Sequence, residues 1–383
     1  MKKRNVFFLL IISILTLCAI TGLLVYAFIL QEQNDRNRFT SKNGQEQLSP
    51  TITPSEAVSP TPTVTPTKAL SKVVLGFAGD VNLDVYNPPI AKYNSVGKDI
   101  TRCFSKDLLK EMRSADIMML NNEFSYSTRG TKAQDKQYTF RAKPDNINIL
   151  KEMGVDIVSL ANNHALDYGP EALQDTFDTL DNAGIDYVGA GKNLDRAKAP
   201  VYYSVGGRKI AFLAASRVMP AGNWYATDSQ SGMVGTYDPT IIVESIKEAK
   251  ANCDFVVIFV HWGKERNTHP EEYQRNLAKQ YIDAGADAVI GCHPHVMQGM
   301  EYYKGKPIAY SLGNYWFNDS LKQSGMIKLY LNTDGSVKFQ LLPVMNKNTE
   351  TYLLTDKYEK KNYYNTMRDL SFGVTIDEDG FIH

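Results

Sequence analysis

Paired cysteines are missing from this chain. Its four cysteines, Cys18, Cys103, Cys253 and Cys292, lie far apart and form no CxxC pair. That excludes a zinc knuckle and leaves no disulfide framework to read. An excess of either charge is missing too: 42 Lys and Arg balance 42 Asp and Glu. The chain therefore carries no electrostatic footprint for nucleic acid or for an anionic membrane surface. No internal repeat is visible. Tyrosine, by contrast, is plentiful, with 22 residues, a composition that often accompanies carbohydrate or envelope partners. The length suits one large domain or two small ones.

What is present begins with a long apolar run. Residues 6–30 are almost unbroken in apolar character and follow Lys2, Lys3 and Arg4. Such a run is long enough to cross a hydrocarbon core of ~30 Å as a helix. The basic leader, with Gln31 and Glu32 beyond the run, predicts that the N-terminus stays in the cytoplasm and the rest lies outside. A cleaved signal peptide is the competing reading, but it would have a shorter apolar region and a small-residue cleavage site. Leu17 before Cys18 is too large for a lipoprotein signal. Residues 31–71 are polar and then rich in Pro and Thr, a composition that prefers extended, solvated conformations. The expected organisation is a leader and anchor over 1–30, a disordered stalk over 31–71, a folded domain over 72–345 and a C-terminal extension over 346–383.

Within the domain, short apolar runs alternate with amphipathic stretches. Residues 73–78, 117–120, 155–161, 255–260 and 288–290 read as buried strands. Helical patterns occupy 106–113, 145–153, 170–183, 241–251 and 271–284. Gly154, Gly184 and Gly285 follow three of these helices, where a left-handed cap is needed. Alternation of this kind predicts an α/β domain. Residues 325–344, with a turn at Asn332–Gly335, predict an antiparallel hairpin, so the sheet should be mixed.

Each apolar run ends on a residue able to bind metal or move a proton. In open α/β sheets, sites form outside the carboxyl ends of strands, where successive loops converge. Five strand ends would bring Asp80, Asn82, Glu123, Asn163, His164, His261, His293 and His295 to one edge. Taken singly, each has a plainer role: Asp80 can cap a turn, Asn163 can hold a left-handed residue, and a lone His is more often structural. Five such coincidences, mixing carboxylate, amide and imidazole donors, favour a metal site. That donor mixture suits Mn, Fe or Zn better than Mg. His269 lies in a loop and His383 at the terminus, both outside the pattern. Arg141 is a candidate to grip an anionic group bidentately, with a surface salt bridge as the alternative. Asp167 could orient His164 or lie exposed at a helix entry, and Asn314, ending a run over 308–312, should reach the same edge.

The ordered motifs are Gly79-Asp80-Val81-Asn82, Asn122-Glu123, Phe140-Arg141-Ala142-Lys143-Pro144, Ala161-Asn162-Asn163-His164 with Asp167-Tyr168-Gly169, His261-Trp262-Gly263, Gly291-x-His293-Pro294-His295 and Ser311-Leu312-Gly313-Asn314. Together they resemble the CapA family of the calcineurin-like metallophosphoesterase superfamily, over about residues 73–344. The resemblance implies a four-layer α-β-β-α sandwich with mixed sheets and a role in synthesis or export of poly-γ-glutamate capsule. It further implies one or two divalent transition metals (Mn, Fe or Zn). Asp80, Asn82 and His295 would hold the first, Asn163, His261 and His293 the second, with Glu123 bridging. His164, supported by Asp167, would protonate a leaving oxygen.

Two positions depart from the superfamily pattern. Asn82 stands where His is usual and Glu123 where Asp is usual. They leave two readings open: a metal-dependent hydrolase of the metallophosphatase kind, or a non-catalytic capsule assembly or export subunit with a structural or vestigial metal site. A generic secreted nucleotidase fits the fold but not the Asn-Asn-His and His-Trp-Gly wording. The expected partners are the cytoplasmic membrane, an anionic polymer or phosphoester substrate and other capsule-synthesis membrane proteins, with no nucleic acid.

Overall fold

In the computed structural model, which describes residues 69–134, 136–318 and 323–383, the first apolar run of the folded domain becomes the strand Val73–Val81, buried at every residue but Val74. A strand covered on both faces is expected to read as a continuous apolar run. It runs parallel to Ile117–Asn122 on one side and antiparallel to Gln323–Leu331 on the other. Ile117–Asn122 is followed across the sheet by Ile157–Ser159 and Asp186–Val188, all parallel. Beyond Gln323–Leu331 lie Val337–Lys347 and Glu350–Leu353, both antiparallel. Asn314–Trp316 and Phe381–Ile382 complete a nine-stranded mixed sheet.

A second sheet has six strands in the order Met300–Tyr303, Lys306–Ala309, Ala288–Cys292, Phe255–His261, Arg208–Ser216 and Val201–Val205. Its central four strands are parallel and each outer strand closes a hairpin. Side chains on successive strand residues point to opposite faces, and the core divides accordingly. Ile210, Phe212, Val257, Phe259 and Ile290 join the core of the nine-stranded sheet, and Phe77 meets Phe212 with ring centroids 6.4 Å apart. Ala211, Leu213, Val256, Ile258 and Val260 face the other way, onto Ile242, Ile246 and Ala249 of the helix Thr240–Ala251 and Leu277, Tyr281 and Ile282 of Glu272–Ala284. Helices Lys106–Arg113, Ile147–Met153 and Gly169–Ala183 cover the nine-stranded sheet with Leu109, Met112, Leu150, Met153, Phe177 and Leu180. The result is the expected four-layer α-β-β-α sandwich. Each large apolar side chain buried between layers contributes about 1.5–3 kcal/mol relative to exposure.

Local signals explain the boundaries. Ser105 accepts a hydrogen bond from the Leu108 N–H and starts one helix. Glu271 and Gln274 form a reciprocal capping box at another. Gly154, Gly184 and Gly285 take φ of 80°, 70° and 119°, the left-handed caps anticipated for them. The hairpin is present as Gln323–Leu331 and Val337–Lys347. The strand Arg208–Ser216, central to the second sheet, was not among the expected strands. Its short apolar run has no period that separates a buried strand from a helix.

The segment 346–383, expected as an extension, is built into the domain. Two of its strands join the nine-stranded sheet, and its helix Lys357–Leu370 buries Tyr363, Tyr364 and Met367 against it. Among the described residues no helix is long and apolar enough to cross a membrane. The apolar run over 6–30, and all but the last three residues of the stalk over 31–71, lie outside the described residues.

Candidate metal centre

The two sheets present the carboxyl ends of their parallel strands at a common edge. Val73–Val81 carries Asp80, Ile117–Asn122 leads into Glu123, and the loop after Ile157–Ser159 carries Asn163, His164 and Asp167. From the other sheet, Phe255–His261 ends on His261, and Ala288–Cys292 leads into His293 and His295. Two glycines make this convergence possible. A Cβ on Gly79 would lie 2.0 Å from the Gly313 carbonyl oxygen, and one on Gly291 would lie 2.1 Å from that of Tyr310. His293 and His295 hold φ of 99° and 59°, left-handed conformations uncommon outside glycine. Strain of this kind costs on the order of 1–3 kcal/mol per residue and clusters at functional sites.

Asn121 lies at the centre of the hydrogen bonding. Its Nδ2 donates to Asp80 Oδ1 at 2.8 Å and to Glu123 Oε2 at 3.1 Å, while its Oδ1 accepts from Asn162 Nδ2 at 3.0 Å. The His293 N–H donates to Asp80 Oδ2 at 3.2 Å. His261 Nε2 lies 2.7 Å from Asn163 Oδ1 and 3.9 Å from Glu123 Oε1. His295 Nδ1 lies 2.7 Å from Asn314 Oδ1 and 3.5 Å from Asp80 Oδ2. His164 Nδ1 lies 2.6 Å from Asp167 Oδ2, and its Nε2 is 3.9 Å from Glu123 Oε1. Phe140 covers the His164 ring at 4.2 Å and Phe317 the His295 ring at 4.8 Å, an apolar wall on one side of the cluster.

Two buried carboxylates so close cannot both ionise freely. Burial works to raise Asp80, but the hydrogen bond and charge of His295, with help from Asn121, hold it below its usual value. Glu123 is pushed well above the carboxylate range by burial and then by the Asp80 charge. Burial keeps His261 far below the ordinary imidazole value, with His293 adding to the effect. It also takes His293 to about 3, next to His295, and His164 to about 4 against the pull of Asp167. His295 is raised, because Asp80 outweighs its burial.

The donor set fits a divalent cation. Glu123 Oε1 and His293 Nδ1 are buried and have no hydrogen-bond partner among the described residues. Donor atoms of Glu123, His293 and His295 lie within 4.8 Å of one another, as do those of Asp80, His261 and Cys292. Asn82 is placed differently. Its Oδ1 accepts from the Asp84 N–H at 2.8 Å, and its buried Nδ2, a donor with no lone pair to give, has no hydrogen-bond partner among the described residues.

The sequence profile of the bacterial capsule synthesis protein PGA_cap matches residues 74–319, most of the described domain. The chain belongs to the PGA_cap family. It is 33% identical over 276 residues to the PGA biosynthesis protein CapA of Bacillus subtilis, covering 70% of this chain and 72% of that protein. It is 35% identical over 248 residues to the capsule biosynthesis protein CapA of Bacillus anthracis, covering 63% of this chain and 60% of that one. The chain thus spans less than two thirds of the second relative. A 5'-nucleotidase from Candida albicans aligns over 70% of this chain and 52% of its own at 12% identity, with a TM-score of 0.39, too distant to carry any inference.

In this PGA_cap domain the structure gathers Asp80, Glu123, Asn163, His261, His293 and His295, with His164 and Asp167 alongside. Asn314 sits behind His295 and orients its ring. The Arg141 guanidinium stacks 4.0 Å from the Tyr168 ring centroid and donates to the Arg129 carbonyl at 2.9 Å. Its backbone N–H holds Asp84 Oδ2 at 2.8 Å. Sequence reasoning missed Asn121, Cys292 and Lys136. The strand period offered a signal for Asn121, because a residue two before Glu123 lies on the same face. Lys136 had none. It arrives on an irregular loop, donates to Asp167 and to the Asn163 carbonyl, and lies 5.0 Å from the Trp224 ring centroid. Burial lowers its pKa against the charge of Asp167.

Proposed function

We propose that this PGA_cap protein is a metal-dependent hydrolase acting on poly-γ-glutamate or a related anionic envelope polymer. Its domain would be held outside the cytoplasmic membrane by the apolar segment 6–30, alongside other capsule-synthesis membrane proteins. Two relatives named for PGA or capsule biosynthesis support the polymer class. The observation that carries the chemistry is the pair of buried, unpartnered atoms, Glu123 Oε1 and His293 Nδ1, inside a group of three donor side chains.

Asp80, Glu123 and His295 would hold one metal, and Glu123, Asn163, His261 and His293 a second; Mn, Fe and Zn suit these donors. When bound, such ions polarise an ester or amide oxygen and activate water. The chain's own residues do the rest. Asp167 accepts from His164 Nδ1, so Nε2 is the atom that handles a proton. With burial holding His164 at about 4, the ring is neutral at pH 7. An anionic substrate beside it favours protonation, and the proton can then pass to the leaving oxygen or nitrogen. Phe140 and Phe317 exclude water from this side. The bond cleaved is a phosphoester or a γ-glutamyl amide.

One observation favours a second reading, a non-catalytic assembly or export subunit. Asn82 spends its amide oxygen on Asp84, which leaves the first metal one donor poorer. Metal analysis of wild type and His293→Ala, with a panel of phosphoester and γ-glutamyl substrates, tests the proposal. Loss of bound metal and of turnover in the variant supports it. Equal metal content in both proteins would remove the site, and metal without turnover on any substrate would leave the assembly reading.

A further inference from the structure

Behind His261, opposite Asn163, lies Cys292. Both residues are fully buried, and the Cys292 sulfur is 3.2 Å from His261 Nδ1. Among the described residues one other group is placed on that nitrogen, Asn121 Nδ2 at 3.4 Å. Asn121 is committed: its amide hydrogens serve Asp80 at 2.8 Å and Glu123 at 3.1 Å, and the ionised Asp80 carboxylate fixes which end is nitrogen. A donor of this kind can never accept a hydrogen from the ring.

A metal-ligating histidine needs an acceptor for its other ring N–H, and that partner fixes its tautomer and orientation. We propose that Cys292 is the positioning residue for His261, holding Nδ1 in either tautomer so that Nε2 can turn from Asn163 to a metal. The inference rests on the reading of His261 as a metal ligand. A thiol suits the task because it is both a weak donor and a weak acceptor. While Nε2 carries the hydrogen and donates to Asn163 Oδ1, the S–H points at Nδ1. When Nε2 gives its lone pair to a cation, the hydrogen sits on Nδ1 and the sulfur accepts it after rotation about Cβ–Sγ. The ring stays neutral throughout: solvent takes one proton from Nε2 and returns one to Nδ1.

The test is zinc affinity of the full chain in detergent, measured by competition with a chromophoric chelator. Cys292→Val fills the space of the thiol without a polar atom and should bind zinc about 10–100-fold more weakly. Cys292→Ser restores a group that donates and accepts, and should return most of that loss. Cys292→Val binding as tightly as wild type would overturn the proposal, as would Cys292→Ser binding as weakly as Cys292→Val. Cobalt-loaded wild type should show no thiolate-to-metal charge-transfer band; such a band would make the sulfur a ligand and overturn the positioning role. A wild type that binds no zinc or cobalt at all would instead defeat the metal-centre reading itself.

Discussion

The nine-stranded sheet supplies Asp80, Glu123 and Asn163 to the centre, all oxygen donors, whereas the six-stranded sheet supplies His261, His293 and His295, all imidazoles. The oxygen half is bound together before any cation arrives, through Asn121 and Asn162. Its difficulty is charge: Asp80 stays ionised while Glu123 is driven to keep its proton. The imidazole half carries its difficulty in the backbone and in burial. Two of its residues sit in left-handed conformations, and burial drives His261 and His293 to the neutral form. A cation between the halves would let Glu123 ionise and would need the imidazoles neutral. Neither sheet alone could make this centre.

Removing one donor from each half should give the largest effect. Glu123→Gln and His261→Ala are both expected to bring bound metal and turnover to background, by elemental analysis and substrate assay. If either variant keeps full metal content, the two halves do not share a cation.

His164→Ala should separate chemistry from binding. A positioned proton donor is worth roughly 10²–10⁴-fold in rate, so turnover should fall by that factor while metal content holds. Full capsule production by cells carrying this variant would favour the assembly role over catalysis.

Acid should act mainly on the imidazoles. His164, His261 and His293 have folded-state pKa values below their unfolded ones, at about 4 and about 3 for the first and last. The unfolded chain therefore binds more protons below about 6.5, and stability falls as pH drops through that value. Glu123 and His295 are raised and act in the opposite sense above their unfolded values, but they are two groups against three. The metal-free protein should melt at a lower temperature at pH 5 than at pH 7, by calorimetry. An unchanged or higher melting temperature at pH 5 would mean the imidazoles are not buried neutral.

Asn82→His makes the halves more alike and should have the smallest effect. It adds an imidazole donor beside Asp80, and a few-fold gain in affinity for the more weakly held metal is expected by chelator competition. No change would mean that this position does not reach the metal.

Much of this was legible before any coordinates, because strand ends, helix caps and the hairpin turn depend on near neighbours in the chain. Asp80, Glu123, Asn163, His261, His293 and His295 stand out because each follows an apolar run. Arg141 was singled out for its guanidinium, yet what that group meets is set by Tyr168 and Arg129. Asn314 was expected at the same edge and lies there, with its Oδ1 2.7 Å from His295 Nδ1.

By itself, then, the amino-acid sequence determined the α/β alternation, the glycine caps and the inventory of donors, all properties of local period and residue type. Tertiary structure alone decided the partners. Asn121 reaches Asp80 across 41 positions, and His261 reaches Asn163 across 98. Asn82 is the instructive exception, since its oxygen accepts from the Asp84 N–H only two residues on. Contacts across two packed sheets depend on how the layers are set against each other. No periodicity in the chain encodes that distance or that angle, which is why the partners of Asn121, Cys292 and Lys136 emerged only from the folded structure.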